Sequence, residues 1–158
     1  MSVAFRREGD DEHLEPKFEI PIPPGPNLVT PRGLALIGAQ VATVEARLAE
    51  LTAHAADEAA IKACQRDLRY WQTRQVTAEL VPVPSGETAE IGTTVRFRLK
   101  GSPRELTIVG NDEADPAAGL IAFTAPLARA LIGAEPGEIL EFAGQDDAIE
   151  VLSIAVTS

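Results

Sequence analysis

Residue types that bind metals or act as nucleophiles are nearly missing from this chain. It holds one cysteine, Cys64, and two histidines, His13 and His54. One cysteine cannot close an intramolecular disulfide, and no pair among the three has the spacing of a zinc site. Gly-x-Ser-x-Gly and the phosphate-loop pattern are both missing, and neither histidine has an evident serine or cysteine partner. An active site of its own is hard to build from these residues, so no enzyme, metal or cofactor is expected. Aromatics make up 4% of the chain, so any core must be mostly Leu, Ile, Val and Ala. No apolar run approaches the roughly 20 residues that span a bilayer. The opening residues, Met1 to Arg7, turn acidic at once and contain no apolar signal-peptide core. With the scarcity of cysteine, these features point to the cytoplasm and away from membranes.

Basic charge is also short. Lys and Arg number 14 against 24 Asp and Glu, for a net charge of −10. Such a chain gains nothing from counterion release on DNA, so nucleic acid is expected to be met only indirectly. The imbalance is local. Residues 1–30 carry −3, residues 31–80 are neutral, and residues 81–158 carry −7. A basic protein surface suits the acidic C-terminal part. Apolar residues make up 45% of the 158, enough for one or two small packed domains.

Residues 1–29 read as a tail. Asp10, Asp11, Glu12 and Glu15 cluster, then Pro21, Pro23, Pro24 and Pro26 favour an extended path. The tail is either a solvated leader or a docking arm. Residues 30–80 read as a helical hairpin. Thr30 suits an N-cap and Pro31 the first helical position, where no N–H is needed. Ile37, Val41, Val44, Leu48 and Leu51 form a heptad seam. Gly33 and Gly38 weaken the helix by roughly 1 kcal/mol each. A second seam runs Ile61, Cys64, Leu68 and Trp71, continued by Gln75 and Ala78. Its register is one residue out of step with the first, which places a chain reversal near His54–Glu58 and makes the helices antiparallel.

Pro82, Pro84, Ser85 and Gly86 mark a linker over residues 81–86. Residues 87–158 read as a small α+β domain, an antiparallel sheet of about five strands with one short helix. Val95, Phe97 and Leu99 alternate with Arg96, Arg98 and Lys100, a half-buried strand with a basic face. Leu106–Val109 and Leu120–Phe123 flank an acidic turn, Thr124 suits the cap of a helix containing Pro126, and Gly133 stops it. Ile139–Phe142 and Ile149–Val156 complete the sheet.

Several residues carry more than one reading. Asp57 and Glu58 sit at the expected reversal, where Asp57 suits a helix cap and Glu58 the positive helix end. The same pair of carboxylates could reach into another protein's site and help hold Mg²⁺ there. Asp112, Glu113 and Asp115 either satisfy turn N–H groups or present an acidic patch to a partner. Lys62, Arg66 and Arg69 share one helix face, either plainly solvated or a strip for an acidic wall.

The segment Ile108–Gly133 resembles the C-terminal domain of the bacterial Gre transcript-cleavage factors. Ile108-Val109-Gly110-Asn111-Asp112-Glu113-Ala114-Asp115 looks like that family's Val-Gly-x-Asp-Glu-Ala-Asp turn. Ala125-Pro126-Leu127-Ala128 looks like its Ser-Pro-Leu-Ala helix, with alanine for serine. Thr30-Pro31-Arg32-Gly33 resembles its opening Thr-x-x-Gly. The resemblance covers roughly residues 27–158. It implies a coiled coil over 30–80 and an FKBP-like domain over 87–158, acting as a monomer. Its implied partner is RNA polymerase, bound at the secondary channel with the coil directed toward the active centre. Asp112, Glu113, Asp115 and Pro126 become candidates for docking. Cleavage-competent members carry a tip like Gly-Asp-Leu-x-Glu-Asn-Ala-x-Tyr, whereas this chain has His54-Ala55-Ala56-Asp57-Glu58-Ala59-Ala60. Each helix of some 23 residues reaches only about 35 Å. These proportions are closer to relatives that occupy the channel without cutting RNA. The alternatives are a working cleavage factor, whose tip acids contact the polymerase Mg²⁺, and, remotely, a peptidyl-prolyl isomerase of FKBP-like architecture.

Overall fold

A computed structural model of the chain describes residues 19–55 and 57–157. The acidic cluster of residues 10–15 lies outside the described residues. The chain divides into two compact units. Of the described residues, one unit contains those up to Gly25 and within Ile37–Thr77; the other contains Pro26–Leu36 and those from Ala78 on.

In the first unit, helix α1 (Pro31–Ala53), which starts in the second unit, meets helix α2 (Glu58–Thr77). The reversal falls where the seam loses register. Ala55 takes the left-handed backbone conformation at φ 50°, and the Asp57 carbonyl accepts the Ile61 N–H at 3.1 Å. The Cys64 thiol donates to the Val44 carbonyl at 3.6 Å. A Cβ placed on Gly38 would stand 3.6 Å from Gln75 Nε2. Going back from 44 to 38 on one helix thus matches advancing from 64 to 75 on the other, so the two run in opposite directions. Ile37, Val41, Val44 and Cys64 are buried, while Leu48, Leu51, Ile61, Leu68 and Trp71 are half-buried. Two helices alone cannot enclose a seam. The last turn of α2 departs from the heptad expectation. Arg74 is buried there and Gln75 is exposed, because an α-helix repeats every 3.6 residues rather than 3.5.

Two short strands missed by the sequence reading belong to the second unit. β1 (Asn27–Val29) pairs in parallel with β2 (Ala78–Leu80), and the Val81 N–H extends the ladder to the Val29 carbonyl at 3.0 Å. The end of the expected tail and the end of the expected hairpin are therefore sheet. Three-residue strands carry too little alternation to read from sequence.

The main sheet has five strands in the order β5-β4-β3-β7-β6. These are β3 (Thr93–Leu99), β4 (Ser102–Val109), β5 (Leu120–Ala122), β6 (Ile139–Phe142) and β7 (Gln145–Val156). The expectation of an antiparallel sheet holds for three pairings and fails at β4–β5, which is parallel. The acidic turn and a 3-10 helix at Pro116–Ala118 bring the chain back in its original direction. Lys100-Gly101 and Ala143-Gly144 close two-residue hairpins with all four residues at positive φ, which matches the twist of the flanking strands. Helix α3 (Pro126–Leu131) presses Ala128 and Leu131 onto Val95, Phe97, Ile108, Ile149 and Val151. The N-cap of α3 is Ala125, with no side-chain bond. Thr124 instead donates to Asn111 Oδ1 at 2.7 Å. On the opposite face, the basic residues of β3 are paired, Arg96 with Glu105 at 3.6 Å and Arg98 with Glu150 at 3.1 Å.

Two glycines make a discriminating test. A Cβ on Gly110 would lie 2.5 Å from the Leu28 carbonyl oxygen. We expect Gly110→Ala to cost about 1–3 kcal/mol by forcing β1 away. Gly38→Ala meets only ordinary contact and should stabilise by up to about 1 kcal/mol. Thermal denaturation of both variants checks the opposite signs.

Candidate functional site

The acidic turn follows β4 because Gly110 lets the chain bend against β1 without a side chain in the way. The Glu113 N–H closes the turn on the Gly110 carbonyl at 3.3 Å. Asp115 and Leu120 then exchange backbone bonds at 2.8 and 3.1 Å, so β5 is launched at a fixed place beside β4.

Glu113 does not face solvent. Its side chain is 4% exposed. Thr30 Oγ1 donates to its Oε1 at 2.5 Å, and Arg32 Nη1 donates to its Oε2 at 2.8 Å. Thr30 Oγ1 meanwhile accepts the Gly33 N–H at 3.0 Å. The helix cap is thus a relay, from backbone N–H to hydroxyl to carboxylate. It sets a negative group at the positive end of α1 and leaves both carboxylate oxygens bonded. A Cβ on Gly33 would lie 2.8 Å from Glu113 Oε1, so the glycine read as a weak point in the helix is what admits the carboxylate. Two motifs that are 80 residues apart in sequence close on one another.

Of the four docking candidates, Glu113 is turned inward and bonded within the chain. Asp112 is half-buried, while Asp115 and Pro126 are exposed and remain surface groups of the turn and of α3. Beside the Thr30–Glu113 contact lies a cavity of about 550 Å³, walled by Arg32, Pro82, Val83, Val109, Leu120 and Val156 among others. Its walls are mostly apolar and suit an apolar side chain. Phe97, Phe123 and Phe142 do not line it, so the aromatic wall a prolyl-isomerase site needs is not supplied there.

In the helix unit, Asp57 and Glu58 are both exposed at the reversal. Glu58, with 83% of its side chain in solvent, has Lys62 Nζ at 3.9 Å one turn on. Arg69 grips Glu19 with two bonds, Nε to Oε1 at 3.0 Å and Nη2 to Oε2 at 2.5 Å. Accepting these bonds, and the charges of Arg69 and Arg66, hold the Glu19 carboxyl below its ordinary value. The same bonds raise Arg69. On α2, Lys62 and Arg69 are exposed and Arg66 half-buried; the sequence carries no signal for Glu19, since its pairing spans 50 residues and has no periodicity. Among the described residues, no helix is long and apolar enough to cross a membrane.

Residues 84–157 match the family model described as transcription elongation factor GreA/GreB, C-terminal. Over 74 residues, 44% of this chain and 47% of the relative, the chain is 40% identical to transcription elongation factor GreA of Acidiphilium cryptum. Over 59 residues, 36% of this chain and 37% of the relative, it is 46% identical to GreA of Agrobacterium fabrum. The chain thus spans less than half the length of these curated relatives. The crystal structure of GreA factor homolog 1 of Thermus thermophilus is 18% identical, covering 82% of this chain and 99% of that one at a TM-score of 0.38. The Thr30–Gly33 motif lies outside the matched segment, yet it holds the matched turn.

The relay predicts a ranking. Glu113→Ala leaves the Thr30 hydroxyl and the helix end without their acceptor and should cost about 1–3 kcal/mol. Arg32, 62% exposed, should cost under about 1 kcal/mol when changed to Ala. Urea denaturation of the two variants measures the order; an equal cost contradicts the relay.

Proposed function

We propose that this protein is a non-enzymatic elongation regulator that binds bacterial RNA polymerase at the secondary channel, in the cytoplasm, because residues 84–157 match the C-terminal model of the GreA/GreB transcription elongation factors. The observation carrying this reading is the match over residues 84–157, which includes the acidic turn and α3. In this reading the second unit is an FKBP-like docking domain that presents Asp115 and Pro126. The two helices form an antiparallel coiled coil directed toward the polymerase active centre. At about 1.5 Å per residue, α2 with its 20 residues is about 30 Å long, short for a probe that must reach a buried centre. That length, and a reversal whose two acids are adjacent, favour occupation of the channel over RNA cutting.

A working cleavage factor is the second reading, favoured by the exposure of both Asp57 and Glu58. Two carboxylates with open positions beside them fit Mg²⁺, which prefers oxygen ligands and retains water. The ion supplies charge neutralisation at a phosphodiester, and the chain's part is to offer oxygens at its reversal.

Purified protein titrated onto core RNA polymerase should bind, and stalled, backtracked complexes should keep their RNA at full length. Failure to bind core polymerase overturns the regulator reading. Release of short 3′ RNA fragments, lost in Asp57→Ala/Glu58→Ala, replaces it with cleavage.

A further inference from the structure

The basic face of α2 is already engaged by a carboxylate from its own chain. Glu19 meets Arg69 side-on, with two parallel bonds at 3.0 and 2.5 Å. This is the fork geometry that guanidinium offers to carboxylates. Arg66, one turn earlier, adds its charge at the same carboxylate. We propose that Arg66 and Arg69 form a docking face for a carboxylate-bearing protein surface, and that Glu19 is an internal latch occupying that face until such a partner displaces it.

The burial of the pair decides between a latch and a staple. Arg69 and Glu19 keep 54% and 56% of their side chains exposed. An ion pair so open to water is weak and salt-screened. It cannot be a main support of the helix unit, yet being intramolecular it competes at high effective concentration. Its strength therefore suits exchange with a competing acidic group. The chemistry of the occupant points the same way. The occupant is a carboxylate, and both arginines lie in residues 31–80, which carry no net charge to repel another one. An acidic protein wall presents the matching group without the dense charge of a nucleic acid. The latch also has a defined pH response. Glu19 lies below its ordinary value, so the pair holds above the normal carboxylate range and opens as pH falls through that lowered value.

This inference rests on the polymerase reading for its natural partner, and the test separates the two. Full-length wild type, Glu19→Gln, Arg69→Gln and the double variant are titrated with a fluorescent oligoglutamate peptide, with single-stranded RNA and with core RNA polymerase, at low and high salt. Glu19→Gln should bind the peptide and the polymerase about twofold to fivefold more tightly at low salt, the scale of an exposed ion pair. The gain should vanish at high salt and in the double variant. Equal affinity of wild type and Glu19→Gln for oligoglutamate overturns the latch. A gain seen with single-stranded RNA but not with oligoglutamate overturns the choice of partner. A gain on oligoglutamate, with no variant binding polymerase, sustains the latch and removes the polymerase reading.

Discussion

The bond from Thr30 to the buried Glu113 carboxylate is the constraint around which the second unit is arranged. An ionised carboxylate taken out of water must find donors or it destabilises whatever holds it. Here the donors are a hydroxyl and a guanidinium from the first turn of α1. Meeting that demand caps the helix and fixes the acidic turn in one stroke. Once the turn is fixed, the Asp115–Leu120 bridge and the parallel entry of β5 follow from chain connectivity.

Space is the companion constraint. The carboxylate fits because Gly33 has no Cβ, and β1 lies against the turn because Gly110 has none. Each glycine is costly by local propensity: one loosens a helix, the other ends a strand. Their cost is offset by contacts that no larger residue permits. The pattern explains why a glycine within an otherwise strong helical seam need not mark a weak helix. It marks the place where another segment comes closest.

Long periodic features were legible in the sequence. The α1 and α2 seams, the reversal between them, the alternation of β3 and the acidic turn before a proline-started helix all show in residue spacing, because burial repeats with the element's period. What escaped were pairings with no period. β1 and β2 are three residues each. The β4–β5 pairing depends on how a turn redirects the chain, and Thr124 chose Asn111 over a helix cap. Arg74 took the buried position assigned to Gln75, since heptad counting drifts by a fraction of a residue per turn over a helix of this length. The candidate site divides along the same line. The residue types of the turn were visible, but their orientation was not, because outward Asp115 and inward Glu113 differ only in what lies 80 residues upstream.

That division bears on how a motif should be converted into function. The stretch Gly110 to Asp115 reads as one acidic patch, yet its members do different work. Gly110 admits a neighbouring strand, Glu113 holds a helix start, and Asp115 keeps its side chain in water while its backbone sets β5. A partner can use only the last kind. The two inner positions are constrained by folding whatever the protein binds, so their presence argues for the fold of the segment rather than for its partner. The positions that folding leaves exposed are Asp115 and Pro126 here, and on α2 Arg69, held by a carboxylate that is itself half in water.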